Sequence, residues 1–136
     1  MNHGALVETV LRFYPDTEAI YLFGSYGTGE EWPDSDVDIG VLLSPDSAKN
    51  EPLMALSECR YQLEKALKRD VDLINIRNVS TVFQFQIVTT GRLIHTGDQG
   101  SVSRFEMLTF SFYQKLNDER RAILDEFQRT RRAYPV

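Results

Sequence analysis

The chain has 136 residues, 42% of them hydrophobic and 26% charged, with a formal net charge of −5. That is enough for one domain with a real core, at a composition ordinary for a soluble globular protein. The acidic balance argues against broad, salt-driven binding to duplex nucleic acid, and no apolar run approaches the length of a membrane span.

In chain order, Leu6, Val7, Val10, Leu11 and Tyr14 recur at helical spacing, which predicts a helix over residues 3–14 that Pro15-Asp16 stops. His3 has no second His or Cys at ligand spacing and reads as solvated. Glu18 to Phe23 reads as a strand, followed by Gly24-Ser25 and a loop containing Gly27, Gly29, Trp32 and Pro33. Trp32 reads as a packing residue, and Glu30, Glu31 and Asp34 as solvated acids. A second strand is expected over Asp36–Leu43, with Val37, Ile39, Val41 and Leu43 on one face. Ser44-Pro45-Asp46-Ser47 reads as the turn that ends it.

From Pro52 to Arg69 the spacing of Leu53, Leu56, Leu63 and Leu67 predicts a helix, with Pro52 in its first turn and Glu64–Lys68 as an exposed i,i+4 pair. Cys59, the one cysteine, excludes an internal disulfide and reads as a buried thiol in a reducing compartment. No charged-then-apolar leader opens the sequence, so a cytoplasmic location is expected. Val71 to Ile76 reads as a short apolar strand interrupted by Asp72. Residues 80–90 fit two patterns: Phe83, Phe85 and Ile87 alternate as in a strand, while Val79, Val82, Phe83 and Ile87 fit a helix capped by Ser80 and stopped by Gly91. Arg92–His95 reads as a strand ending in a non-catalytic His95, and Thr96–Gly100 as a turn.

The tail, from Ser101 to about Arg132, reads as a long helix. Phe105, Leu108, Phe112, Leu116, Ile123 and Phe127 form one stripe, and Met107, Phe110 and Tyr113 a second flank. Asn117–Arg121 is wholly polar, a place for the helix to break or face water. Residues 101–136 carry 5 acidic against 7 basic side chains, while residues 1–100 carry 15 against 8.

Chemistry concentrates at residues 24–38. Side chains alternate along a strand, so Asp36 and Asp38 project to the same side. Two adjacent carboxylates repel unless a cation sits between them, and hard oxygen ligands of this kind suit Mg²⁺ beside substrate phosphates. Gly24 permits close backbone approach, and Ser25 offers a hydroxyl beside main-chain N–H groups.

Gly24-Ser25, ten residues, then Asp36-Val37-Asp38 resembles the signature of the nucleotidyltransferase superfamily that includes DNA polymerase beta and kanamycin nucleotidyltransferase. Over roughly residues 5–96 the short chain is similar to its minimal members, the MNT antitoxins encoded beside HEPN-domain toxins. The resemblance implies an α/β (α+β) fold: a small mixed sheet flanked by helices, with residues 1–98 as nucleotidyltransferase core and 99–136 as a partner-docking helical tail. It favours the helical reading of residues 80–90. It places a third acidic residue on the neighbouring strand, which selects Asp72; Asp70, at the strand edge beside Arg69, is served by ordinary solvation. A salt bridge to a nearby Arg or Lys is the alternative reading of Asp72.

The resemblance further implies two Mg²⁺ ions held by Asp36, Asp38 and Asp72, with ATP as substrate gripped by Gly24 and Ser25. The implied reaction is transfer of AMP to a tyrosine of a cognate HEPN ribonuclease toxin, in a hetero-oligomer without membrane or stable nucleic-acid contacts. Two other classes remain open: an antitoxin that acts by binding alone, and an aminoglycoside-like small-molecule nucleotidyltransferase.

Overall fold

The structure, a computed structural model, describes residues 3–24 and 36–130. Helix α1 (Gly4–Phe13) leads through the Pro15-Asp16 turn into β1 (Ala19–Phe23). Then follow β2 (Val37–Leu42), α2 (Pro45–Lys49), α3 (Glu58–Leu67), β3 (Val71–Asn75), α4 (Thr81–Thr90), β4 (Arg92–Thr96) and α5 (Gln99–Thr130). Among the described residues the strands form one mixed sheet in the order β3-β2-β1-β4. β1 pairs antiparallel with β2 and with β4, and β2 pairs parallel with β3. This is the α+β architecture the sequence implied.

Alternation along the strands divides the interior in two. Ile20, Leu22, Val37, Ile39, Val41, Val71 and Leu73 pack against Leu6 and Val10 of α1 and Cys59 and Leu63 of α3. Ala19, Tyr21 and Leu42 turn to the other face, where they meet Ile87 of α4 and Val102 and Phe105 of α5. Cys59 is a buried free thiol, pushed up to about 12 by its burial and then by Glu51.

Three local expectations change. Residues 44–47 are not a plain turn: the Ser44 hydroxyl accepts the Ser47 N–H at 3.3 Å and caps α2, with Pro45 in the first turn. The helix expected from Pro52 is interrupted. Met54–Leu56 is a single 3₁₀ turn, and α3 starts only at Glu58, capped by Ser57 accepting the Arg60 N–H. Leu53 and Leu56 therefore share no buried face with Leu63 and are exposed. Lys68 ends α3 in the left-handed region at φ 57°, so no Glu64–Lys68 pair forms there. Glu64 instead accepts the Val71 N–H at 3.0 Å and pairs with Arg60, tying α3 to the start of β3.

Residues 80–90 resolve as helix. Ser80 accepts the Phe83 N–H, and the Gln84 amide donates to the Ile76 carbonyl. In the tail the structure selects the water-facing reading of Asn117–Arg121 over a break. α5 runs unbroken through Asn117–Arg121, since each of those polar residues is compatible with an exposed helix face.

The first turns of α5 belong to the core. Val102, Phe105 and Thr109 are buried, and the Tyr21 hydroxyl donates to Glu106 at 2.5 Å. Tyr113 stacks on Phe85 of α4 with ring centroids 3.7 Å apart. Phe105, on the main apolar stripe of the tail expected to dock a partner, is thus already covered within the chain, and Arg77 lies over its ring. Phe105→Ala is therefore expected to cost about 3–4 kcal/mol in a urea unfolding series. Phe112→Ala, at a side chain 54% exposed, should cost less than about 1 kcal/mol.

Candidate active site

The second sheet face, the one covered by α4 and α5, carries the acidic cluster. On β2, Asp38 lies in phase with Leu42, and on β3, Asp72 lies in phase with Ile74, so both carboxylates leave the sheet on that side. The parallel register sets Asp38 directly opposite Asp72. Their carboxyl groups come within hydrogen-bond reach of each other, and burial, Asp72 and then Asp36 together push the Asp38 carboxyl up to about 6. Burial leads because Asp38 is backed by the sheet and by Phe23, its partner across the antiparallel pair. Phe23 is itself held edge-on by Phe83 at 5.9 Å.

Asp36 lies one residue before β2, is exposed, and enters as an additional negative charge. Asp70 is also exposed, and its carbonyl accepts the Val37 N–H at 2.8 Å. That bond starts the β2–β3 ladder and leaves the Asp70 side chain outside the strand pair.

Gly24 closes the other side of the cluster. It adopts φ +76°, a conformation that favours glycine, and a Cβ added there would fall inside the van der Waals radius of Asp38 Oδ2. The backbone thus passes directly against the carboxylate. Ser25, the other residue expected to contact phosphates, lies outside the described residues, as do Gly27, Gly29, Glu30, Glu31, Trp32, Pro33 and Asp34.

Among the described residues no three Asp, Glu, His or Cys side chains converge as a ready-made metal cage. The chemistry of the pair nonetheless fits Mg²⁺, which takes one or two carboxylates and completes its shell with water and substrate phosphate oxygens. Two carboxyl groups pressed together, with Asp38 pushed up by burial and by its neighbours, present negative charge that a divalent cation would relieve.

A family model described as polymerase beta nucleotidyltransferase matches residues 7–100. The chain belongs to that family. Its relatives include the protein adenylyltransferase MntA of Shewanella oneidensis, 38% identical over 126 residues, which cover 93% of this chain and 87% of that protein. Among solved structures, a toxin–antitoxin complex with AMP-PNP is similar at 35% identity and a TM-score of 0.72, covering 94% of this chain and 99% of that one. A tri-AMPylated Shewanella oneidensis HEPN toxin in complex with MNT antitoxin is similar at 35% identity and a TM-score of 0.64, covering 90% and 92%. Both structural matches span nine-tenths or more of this chain.

Arg77 is a residue that the sequence did not single out. It donates to the Leu43 carbonyl and pairs with Glu18 at 2.6 Å, stapling β1 to the end of β2. Its partners lie 34 and 59 residues away, beyond the reach of any local pattern.

Two outcomes follow, the first for the metal-free protein and the second for nucleotide binding. A carboxyl whose folded pKa is raised binds its proton more tightly folded than unfolded, so its contribution to stability falls as pH rises from about 4 through about 6. Asp38→Asn removes that cost. In EDTA the variant should be more stable than the parent at pH 7.5, on the order of 1 kcal/mol once solvent screening is allowed for, and show little gain at pH 4.5. Gly24→Ala should abolish nucleotide binding, read as loss of the thermal shift with Mg-ATP, because the new methyl displaces Asp38.

Proposed function

We propose that this chain is an antitoxin-type protein adenylyltransferase that transfers AMP from ATP to a tyrosine of a cognate HEPN toxin and so neutralises it. The observation that carries the reading is the Asp38–Asp72 pair, set opposite each other by the parallel register with the Gly24 backbone against Asp38. The similarity to a protein named for this activity, over nearly its whole length, supplies the acceptor class. The buried, free Cys59 fits a cytoplasmic enzyme.

Asp38 and Asp72, with Asp36 beside them, would hold Mg²⁺, two ions in the full site. Bound there, the metal supplies Lewis-acid neutralisation of the triphosphate and a lowered pKa for the attacking hydroxyl. Gly24, by its lack of a side chain, lets phosphate oxygens approach the main chain, and Ser25, next in sequence, is the expected hydroxyl donor to them. The acceptor phenol oxygen forms a bond to the α-phosphorus as the bond to the bridging oxygen of the β-phosphate breaks. AMP stays on the tyrosine and pyrophosphate leaves. Asp72, the more exposed of the pair, takes the phenol proton. Asp38, more enclosed, stays as the fixed negative anchor.

The test is transfer to the cognate HEPN chain with three variants side by side. Asp38→Asn and Asp72→Asn should each lower the rate at least a hundredfold, and Asp70→Asn should remain within about twofold of the parent, since its side chain stands outside the pair. Equal losses at Asp70 and Asp72, or full transfer without Asp38, would remove this assignment. Neutralisation of the toxin that persists in all three variants without AMP on the toxin would mean an antitoxin that acts by binding alone.

A further inference from the structure

The sheet face that bears Asp38 and Asp72 turns apolar immediately beside them. Two residues after Asp72 on that face comes Ile74, and Ile76 follows in the 3₁₀ turn after β3. Ile76 is fully buried, whereas Ile74 is only half-buried. On β2 the position between Asp38 and Leu42 on this face is Gly40, set opposite Ile74 by the parallel register. Two neighbours close over the missing side chain: a Cβ at Gly40 would stand 2.9 Å from Ile76 Cδ1 and 3.6 Å from Phe23 Cε1. Phe23 is the cross-strand partner of Asp38 and is held edge-on by Phe83. Ile74, Ile76, Phe23 and Phe83 thus form an apolar floor that borders the carboxylate pair.

We infer that Ile74 seats the ring of the acceptor tyrosine, whose hydroxyl then lies at Asp72. This rests on the reading that a tyrosine accepts AMP, and adds the side chain that holds its ring and selects it. Three observations choose this occupant. Side chains two apart on a strand stand about 7 Å apart, and a tyrosine spans much the same length from its hydroxyl oxygen to its β-carbon. Asp72 is exposed and Ile74 half-buried on β3, an edge strand of the sheet among the described residues, so a side chain supplied by another chain reaches both from one side. The floor carries no polar side-chain atom. A phenol is apolar everywhere except at its hydroxyl and loses nothing on such a surface, whereas adenine would leave the hydrogen-bonding groups of its edge unmatched there.

The same contact discriminates among hydroxyl-bearing acceptors. A serine or threonine that brought its hydroxyl to Asp72 would lay no ring on Ile74 and would forgo that burial.

The experiment uses the full chain with its cognate HEPN toxin and the variants Ile74→Ala and Ile74→Val. At saturating toxin, Ile74→Ala should slow AMP transfer at least tenfold and Ile74→Val should stay within about twofold of the parent, both with the parent's thermal shift on Mg-ATP. Because Ile74→Ala also removes packing from the second core layer, the parent itself is examined by NMR with ¹³C-labelled isoleucine methyl groups. The Ile74 δ-methyl signal is identified by its absence from Ile74→Val. With Mg²⁺ and AMP-PNP present, added N-acetyltyrosinamide should move that signal upfield, as a ring stacked on it requires, and N-acetylserinamide should leave it in place. No movement with N-acetyltyrosinamide would overturn the proposal. So would Ile74→Ala transfer within twofold of the parent, or an Ile74→Ala variant that loses the Mg-ATP thermal shift, since the floor would then hold the nucleotide base. If the parent transfers no AMP to the toxin yet N-acetyltyrosinamide moves the Ile74 signal, the ring seat stands and the transferase reading fails.

Discussion

The structure depends on two carboxylates that the β2–β3 register forces together. Asp38 and Asp72 face each other because Val37, Ile39 and Val41 must bury on the opposite side of β2, and Val71 and Leu73 on the opposite side of β3. A slip of one residue would drive the aspartates into the interior between α1 and α3 and expose five aliphatic side chains. Hydrophobic burial therefore outweighs the repulsion between the acids, and the cost of holding them together is stored where a cation and a triphosphate can relieve it. Gly24 belongs to the same constraint, since no other residue leaves room for both the chain and Asp38 Oδ2.

α5 serves two parts of the molecule. Its first turns complete the second core layer through Phe105 and the Tyr21–Glu106 hydrogen bond, and that layer carries the sheet face bearing the aspartates. Its later turns carry the same apolar side past the edge of the sheet. One continuous helix thus joins the floor of the site to a stretch in which Ile123 and Leu124 are exposed. Arg77, pinned between Glu18, the Leu43 carbonyl and the Phe105 ring, locks that helix to the strands.

The strands and the acidic cluster were legible because a period of two is hard to mistake: Asp36-Val37-Asp38 followed by alternating aliphatics admits one arrangement of faces. The selection of Asp72 over Asp70 leaned on the family resemblance. In the structure Asp72 stands opposite Asp38 in the register, while the Asp70 carbonyl starts the ladder. The segment from Pro52 was misread because leucine spacing reports a shared helical face without reporting whether anything covers it. The Ser57 cap, three residues before the Arg60 N–H it binds, was the competing signal. Phe105 and Ile123 sit on one stripe and look equivalent in sequence. Only the extent of the sheet, a tertiary quantity, makes the first a core residue and the second an exposed one. Residues 80–90 carried too little contrast between faces for periodicity to decide, and the Ser80 cap settled them as helix.

The most direct test of the account follows the label in ATP. The protein, Mg²⁺ and the cognate HEPN toxin are incubated with ATP labelled in either the α- or the γ-phosphate, and the toxin is separated and counted. An Asp38–Asp72 site that performs nucleotidyl transfer puts the α-label on a toxin tyrosine, leaves the γ-label in released pyrophosphate, and does neither after Asp38→Asn. Label from the γ-phosphate on the toxin, or an unlabelled toxin in a stable complex with the intact protein, would contradict it.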